Sequence, residues 1–351
     1  MGERSGGEGD VETEQQPGAV PVQRGPEPAL TSELPIPTPL LRHRLAAHAE
    51  TLRPYDLVTV PLVAGLGAVL AGPGGGVVPD RVVPAMVNSL VAWSAGLYAA
   101  DYLTRHDDIV TKPHRPIPSG RLPGTHARNL AVLGTVATVV VTAAVNWHGL
   151  LFIAAAVLAQ AAYARRLKDA GLWGDLAIGL SAWTFALLTA ATFTAPWPPP
   201  ATWPPALALG LQGTFSNTLL ALGDLETDRA VGCRTLPVRV GPRRTVATMT
   251  ACAALAYALA ALTPGITGHP PTTLYVTLLT TAVLLAATCL LLARTAPHGL
   301  ARATELHLYE RVALPGALLA LADGTPLALT LTLTVAPACV LALTPRAMLR
   351  D

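Results

Sequence analysis

The sequence predicts an all-α protein, a polytopic membrane helix bundle of about nine transmembrane helices. Three observations carry that prediction. Of 351 residues, 51% are hydrophobic and only 13% are charged, about half the charged share of an ordinary soluble domain. Apolar runs of roughly 20 residues, the length a bilayer core requires, recur along the chain. Basic residues collect in alternate connections between those runs.

The elements follow in order. Residues 1–37 are rich in Gly, Glu, Pro and Gln and lack an apolar core, so no signal peptide is read there. Such a composition buries too little surface to offset chain entropy, and a disordered tail is expected. Residues 38–351 form the membrane domain. The stretch 40–53 (LLRHRLAAHAETLR) mixes Leu and Ala with Arg and His, as an interfacial helix does. Spans are expected near 54–72, 83–103, 126–146, 149–164, 173–194, 203–223, 245–263 and 273–294. A last apolar region, 309–345, is interrupted by Pro315, Asp323, Gly324 and Pro326 and holds one or two spans. The total is nine or ten.

Orientation comes from the basic residues. Arg105, Lys112, Arg115, Arg121 and Arg128 follow the second span, Arg165, Arg166 and Lys168 the fourth, and Arg229, Arg234, Arg239, Arg243 and Arg244 the sixth. The opposite connections carry almost no Lys or Arg. This bias places those loops and the N-terminus on the cytoplasmic side of a cell membrane. A net charge of +2 is too small to indicate a nucleic-acid partner. The four cysteines, Cys233, Cys252, Cys289 and Cys339, form no CxxC pair, so neither a zinc site nor a disulfide framework is expected.

Most spans are expected to lack carboxylates. Two segments at cytoplasmic span ends depart from that rule, and ionisable groups at membrane depth mark sites. The first is DYLTRHDDIVTKPHRPIPSG, from Asp101 to Gly120. Asp101 and Asp108 stand two helical turns apart on one face, with Thr104 or Arg105 between them. The second is GDLETDRAVGCRTLPVRVG, from Gly223 to Gly241, in which Asp224 and Asp228 are stacked at i and i+4. Carboxylates so close repel unless a cation joins them. Oxygen-only ligands beside phosphate-suited cations favour Mg²⁺. The segments follow the second and sixth spans, so both reach the same membrane face. A duplicated four-helix unit is a further reading of this spacing.

At these segments the chain resembles the UbiA superfamily of intramembrane prenyltransferases. Ala100-Asp101-Tyr102-Leu103-Thr104-Arg105-His106-Asp107-Asp108 aligns with the family's N-D-x-x-D-x-x-x-D, and Lys112-Pro113-His114-Arg115-Pro116-Ile117-Pro118-Ser119-Gly120 follows in register with its K-P-x-R-P-I-P-S-G. Asp224, Asp228, Gly232, Thr235, Leu236, Pro237 and Val238 fit the second motif, D-x-x-x-D then G-x-x-T-L-P-V. Tyr163, Leu167, Lys168 and Gly171 resemble the family's Tyr-x-x-x-Leu-Lys loop. Two positions depart: the leading Asn is Ala100 and the middle Asp is Thr104. Asp107 is a candidate substitute, although it points about 100° away from Asp108 on a helix.

The resemblance implies helices packed around a central cavity that takes the prenyl tail of a prenyl diphosphate. Asp101 and Asp108 would hold one Mg²⁺, and Asp224 and Asp228 another. Lys112, Arg115, Lys168, Arg105 and Arg234 would contact the diphosphate. Tyr163 and Trp93 or Trp173 would present ring faces to an allylic cation. Asn217 and Thr104 would line the cavity, with Ser94, Gln160 and Gln212 as weaker candidates. The implied reaction is prenyl transfer to an aromatic or other nucleophilic acceptor with release of diphosphate. The divergent first motif raises the alternative of a UbiA-type terpene cyclase, which needs no acceptor. A non-catalytic transporter is a remote third reading, because it leaves the phosphate-suited cations beside the carboxylates unexplained.

Overall fold

The computed structural model describes residues 41–72, 77–321, 334, 338 and 339. The expected tail, residues 1–37, and most of the region beyond Leu321 lie outside them. Every described element is helical: α1 Leu41–Leu52, α2 Pro54–Leu70 with one break at Val58, α3 Pro79–Thr111, α4 Gly124–Asn146, α5 Gly149–Ala162, α6 Leu172–Ala191, α7 Trp203–Gly223, α8 Leu225–Ala230, α9 Leu236–Val240, α10 Pro242–Thr267, α11 Thr273–Ala293 and α12 Leu300–Leu321.

Among the described residues, six helices are long and apolar enough to cross a bilayer: α3, α4, α5 with its extension to Ala170, α6, α10 and α11. Helices α1 and α2, bent by 51° at Arg53, make a seventh if the pair is one span. The expected interfacial segment is therefore the first arm of a bent unit. Helices α7 and α12 have the length of spans, 21 and 22 residues. Helix α12 carries Arg302, Glu305, His307, Glu310 and Arg311 among its apolar residues. Pro315, expected to interrupt the last apolar region, lies inside α12. Asp323, Gly324 and Pro326 lie outside the described residues.

Helix α3 has 33 residues, about 50 Å of rise, whereas the hydrocarbon core is about 30 Å thick. Upright, such a helix is longer than the hydrocarbon is thick. Helix α7 ends at Gly223, and Asp224 follows at once. The two aspartate segments thus sit at the C-terminal ends of two long helices.

The core is a cluster of α2, α3, α6, α7 and α12 side chains, centred on Leu62, Leu66, Leu187, Leu188, Leu209 and Leu314. Valines and leucines of α4, α5, α10 and α11 face outward, among them Leu133, Leu158, Leu262 and Leu284. An exposed apolar face of that extent suits lipid contact.

Helices α6 and α7 cross at small residues, as membrane helices commonly do. A Cβ added to Gly179 would collide with the Thr214 amide nitrogen and lie 2.6 Å from Gly210 O. Across the same crossing, Thr184 donates to Ala206 O at 2.9 Å. Here α6 carries a π-helical turn, Leu180–Thr184. Gly179→Ala is expected to push the two helices apart and destabilise the fold by about 1–3 kcal/mol. Thermal unfolding in micelles reads this, and an unchanged melting temperature would refute the close crossing.

Candidate functional site

The first aspartate segment is held by arginines. Asp101 and Asp108, each 6% exposed, point from one face of α3. Arg115 Nη1 lies 3.0 Å from Asp108 Oδ2 and 3.9 Å from Asp101 Oδ1. Arg53 Nη2 approaches Asp101 Oδ1 at 3.5 Å. Arg53 has φ 45°, in the left-handed region, and is the one described non-glycine residue there. That conformation costs roughly 1–2 kcal/mol, and it turns α1 into α2 so that the guanidinium reaches α3. Thr104 Oγ1 lies 2.8 Å from Asp108 Oδ2 and 3.1 Å from Ala100 O. Its single proton serves one of them, so the hydroxyl at the motif's middle position is already aimed at Asp108. Arg121 grips Glu50 at 2.6 and 2.9 Å, which ties the loop after α3 to α1. Glu50, Arg53, Tyr55, Asp101, His114 and Arg115 line a small pocket between them.

Arg105 departs from expectation. Its Nη1 donates to Tyr102 O at 2.6 Å, and its guanidinium lies 4.2 Å above the Tyr102 ring. Helical spacing places it between the aspartates, but its long side chain folds back on its own helix. The Asp107 side chain is outside what the structure describes.

The second segment bridges two helices. Asp224 joins α7 to α8, and its carbonyl accepts from the Asp228 amide at 2.8 Å. The chain thus keeps a helical turn there, which stacks the two carboxylates. Thr235 Oγ1 donates to Asp228 Oδ2 at 2.9 Å. Burial raises the Asp228 carboxyl above the ordinary carboxylate value, and the Asp224 charge adds to it; Thr235 and the ammonium groups of Lys168 and Lys112 pull the other way. Lys112 belongs to the end of α3 and Lys168 to the loop after α5. Asp169 Oδ1 accepts from the Arg234 amide at 2.7 Å, and Arg239 Nη1 donates to Asp169 O at 3.0 Å. These bonds fix the 163–171 loop against the second segment. The Arg234 side chain is exposed, and its described contact there is through the backbone.

A polar layer lies beneath. Asn217 Nδ2 donates to Asp175 Oδ1 at 2.7 Å, while Thr218 Oγ1 is 3.0 Å from Asp175 Oδ2. Asp175 is 5% exposed and was not among the expected site residues. Its signal is a lone Asp in an apolar run, next to Gly174, whose hydrogen lets α6 meet Leu167 O. Trp173 is 69% exposed, so its ring faces outward instead of into the bundle.

Deeper still is a second unforeseen group. Arg311 of α12 pairs with Asp56 of α2 at 2.7 Å and lies 5.0 Å from the Trp183 ring. Trp93 packs on Trp183 at 4.9 Å and keeps a buried, unpartnered Nε1. Glu310 Oε1 accepts from Gln212 Nε2 at 2.8 Å and from the Tyr257 hydroxyl. His307 Nδ1 lies 2.9 Å from Glu310 Oε2, off the line of a good hydrogen bond, so both atoms lack one. Gln212 therefore holds a carboxylate within the bundle.

Among the described residues no three His, Cys, Asp or Glu side chains converge as a ready metal cage. The donor set is two pairs of carboxylates. That suits Mg²⁺, which binds through one or two carboxylates plus water and substrate phosphates. The residues fit the ion: Asp101 and Asp108 share Arg115, and Asp224 and Asp228 stack one turn apart.

Residues 58–309 match the UbiA prenyltransferase family. The bacteriochlorophyll synthase 33 kDa chain of Rhodobacter capsulatus is 33% identical over 207 residues, 56% of this chain and 61% of that one. A digeranylgeranylglyceryl phosphate synthase of Methanopyrus kandleri is 34% identical over 233 residues, 64% of this chain and 82% of that one. Among solved structures, a UbiA homolog from Aeropyrum pernix superposes with TM-score 0.64 at 18% identity, covering 75% of this chain and 96% of that one. A UbiA homolog from Archaeoglobus fulgidus bound to GPP and Mg²⁺ superposes with TM-score 0.56 at 14% identity, covering 78% and 99%. At such identities the superpositions speak to fold.

Proposed function

The chain belongs to the UbiA prenyltransferase family, and from that premise we propose that it transfers the prenyl group of a prenyl diphosphate to an acceptor inside the membrane, releasing diphosphate. One observation supports this reading: Asp169 of the middle loop accepts from the Arg234 amide at 2.7 Å and from Arg239 at 3.0 Å, so the middle loop is bonded to the second aspartate segment. The relative bound to GPP and Mg²⁺ supports the donor class and the ion.

When bound, Mg²⁺ held by Asp101, Asp108, Asp224 and Asp228 would neutralise the charge that develops on the leaving diphosphate. The chain's own groups do the rest. Lys112 and Lys168 supply point charges to the departing oxygens, and Arg115 and Arg53 supply planar donors. Tyr163 presents an aromatic face to the allylic cation. Helices α2, α3, α6 and α7 keep water from that cation until the acceptor attacks. The basic loops around Arg115, Arg165 and Arg239 support a cytoplasmic position for the site and the N-terminus. The acceptor is a nucleophile, an aromatic ring among the candidates.

A cyclase reading draws on one specific feature. Ala100 and Thr104 replace two polar residues of the family motif, and a divergent site favours divergent chemistry after the same ionisation. Incubation of the purified protein with Mg²⁺ and prenyl diphosphates from geranyl to geranylfarnesyl, with and without aromatic acceptors, separates the two by mass spectrometry. Products that require the acceptor support transfer. Hydrocarbons or alcohols formed without it support cyclisation.

Removal of Mg²⁺ by EDTA is expected to abolish diphosphate release, and readdition to restore it. Thr104→Asp restores a third carboxylate and is expected to raise Mg²⁺ affinity several-fold. Calorimetric titration of Mg²⁺ measures this. Equal affinities in the two proteins would remove position 104 from the ion's surroundings.

A further inference from the structure

Outside the site, a groove runs between the start of α10 and the end of α11. Its volume is about 860 Å³, within the range of small-molecule sites. It opens on the same face as the aspartate segments, because α10 begins directly after the second one. The groove is of two chemistries. Val246 and Ala293 form an apolar floor, both buried, and Ala247 lines a wall. Arg243, Arg244 and Arg294 stand at the rim, all exposed, and no described carboxylate pairs with any of them.

The helices separate here for a visible reason. The Tyr275 hydroxyl donates to Ala260 O at 2.8 Å at the far end of the pair. Near the middle the Tyr257 hydroxyl lies 3.0 Å from Ala282 O. No such bond is described between Pro242 and Thr250 on α10 and the last turn of α11. The outer faces flanking the groove carry Leu255, Leu262, Leu284 and Leu291, each more than half exposed. Helices α10 and α11 thus present apolar side chains outward beyond the groove, and the arginines stand at the ends of the two helices.

We infer that this groove binds an anionic phospholipid of the adjoining leaflet, its phosphate held by Arg243, Arg244 and Arg294 and its upper acyl chains lying between α10 and α11. Charge complementarity selects the headgroup, since three guanidiniums with no described carboxylate partner attract an anionic lipid and give a zwitterionic one little advantage. Guanidinium also matches phosphate in a planar, bidentate way. The bound lipid would close the gap that the two tyrosines leave open.

The full-length protein in detergent, titrated with phosphatidylglycerol or phosphatidylcholine and read by native mass spectrometry, tests this without any catalytic assay. Phosphatidylglycerol is expected to bind about tenfold or more tighter than phosphatidylcholine. The triple variant R243Q/R244Q/R294Q is expected to lose that preference, while R128Q, an exposed arginine on α4, keeps it. Arg294→Gln alone, at the end of α11, is expected to lose part of it and serves if the triple variant does not fold. Excess inorganic phosphate is expected to leave the lipid bound. Equal retention of both lipids, an unchanged triple variant, displacement by phosphate alone, or a dimer that excludes lipid from the groove would each overturn the inference.

Discussion

Asp228→Ala is expected to lower the rate of diphosphate release at least about 100-fold, the cost of losing one well-placed electrostatic group in a catalytic site. The expectation follows from where Asp228 stands. It shares one helical turn with Asp224, accepts from Thr235 at 2.9 Å, and is the point on which Lys112 and Lys168 act. Removing it deletes one of the two carboxylates of the second pair and leaves two cations without their common counter-charge. Asp228 lies in the short helix α8 and is only partly buried, so the variant should melt close to wild type. Single-turnover release of diphosphate, with melting as the folding control, separates the two effects. Thr235→Ala is the graded comparison, expected to fall in the same direction by less. A folded Asp228→Ala protein with wild-type release would exclude the second segment from the site.

The second large effect concerns stability. Asp56→Ala or Arg311→Ala is expected to cost about 3–5 kcal/mol, because either change strands the partner's charge inside the bundle. The pair is short, 2.7 Å, and both side chains are close to nine-tenths buried. Arg311 has only the Trp183 face as a described alternative, and Asp56 has no other described ion pair. The double replacement Asp56→Leu with Arg311→Met should cost much less than the sum, since it leaves no unpaired charge. Reversible unfolding in mixed micelles measures all three proteins. Additive costs in the double variant would show that the two groups do not depend on each other.

These residues also show where reading the chain fails. Asp101 and Asp108, and Asp224 and Asp228, were legible because helical periodicity alone puts each pair on one face. Lys112, Arg115 and Lys168 were legible through the motifs that carry them. Arg53 was not, since its reach to Asp101 depends on a left-handed residue that turns α1 against α2. Asp56, Asp175 and Glu310 each sit in an apolar stretch where a partner on another helix makes an ionisable group tolerable. Arg105 shows the reverse case. Its position in the register was correct, but a flexible guanidinium chose the carbonyl and ring of Tyr102. Trp93, expected to face the cavity, packs instead against Trp183.

By itself the sequence determined the all-α membrane architecture, the helical spacing within each aspartate pair and the family to which the chain belongs. Hydropathy and helical spacing are local properties, and each can be read one segment at a time. Only the tertiary structure decided which arginines meet Asp101 and Asp108, which buried charges pair across helices, and how the middle loop bonds to the second segment. Those outcomes depend on how helices cross and how far side chains extend between them, and no single segment contains that information.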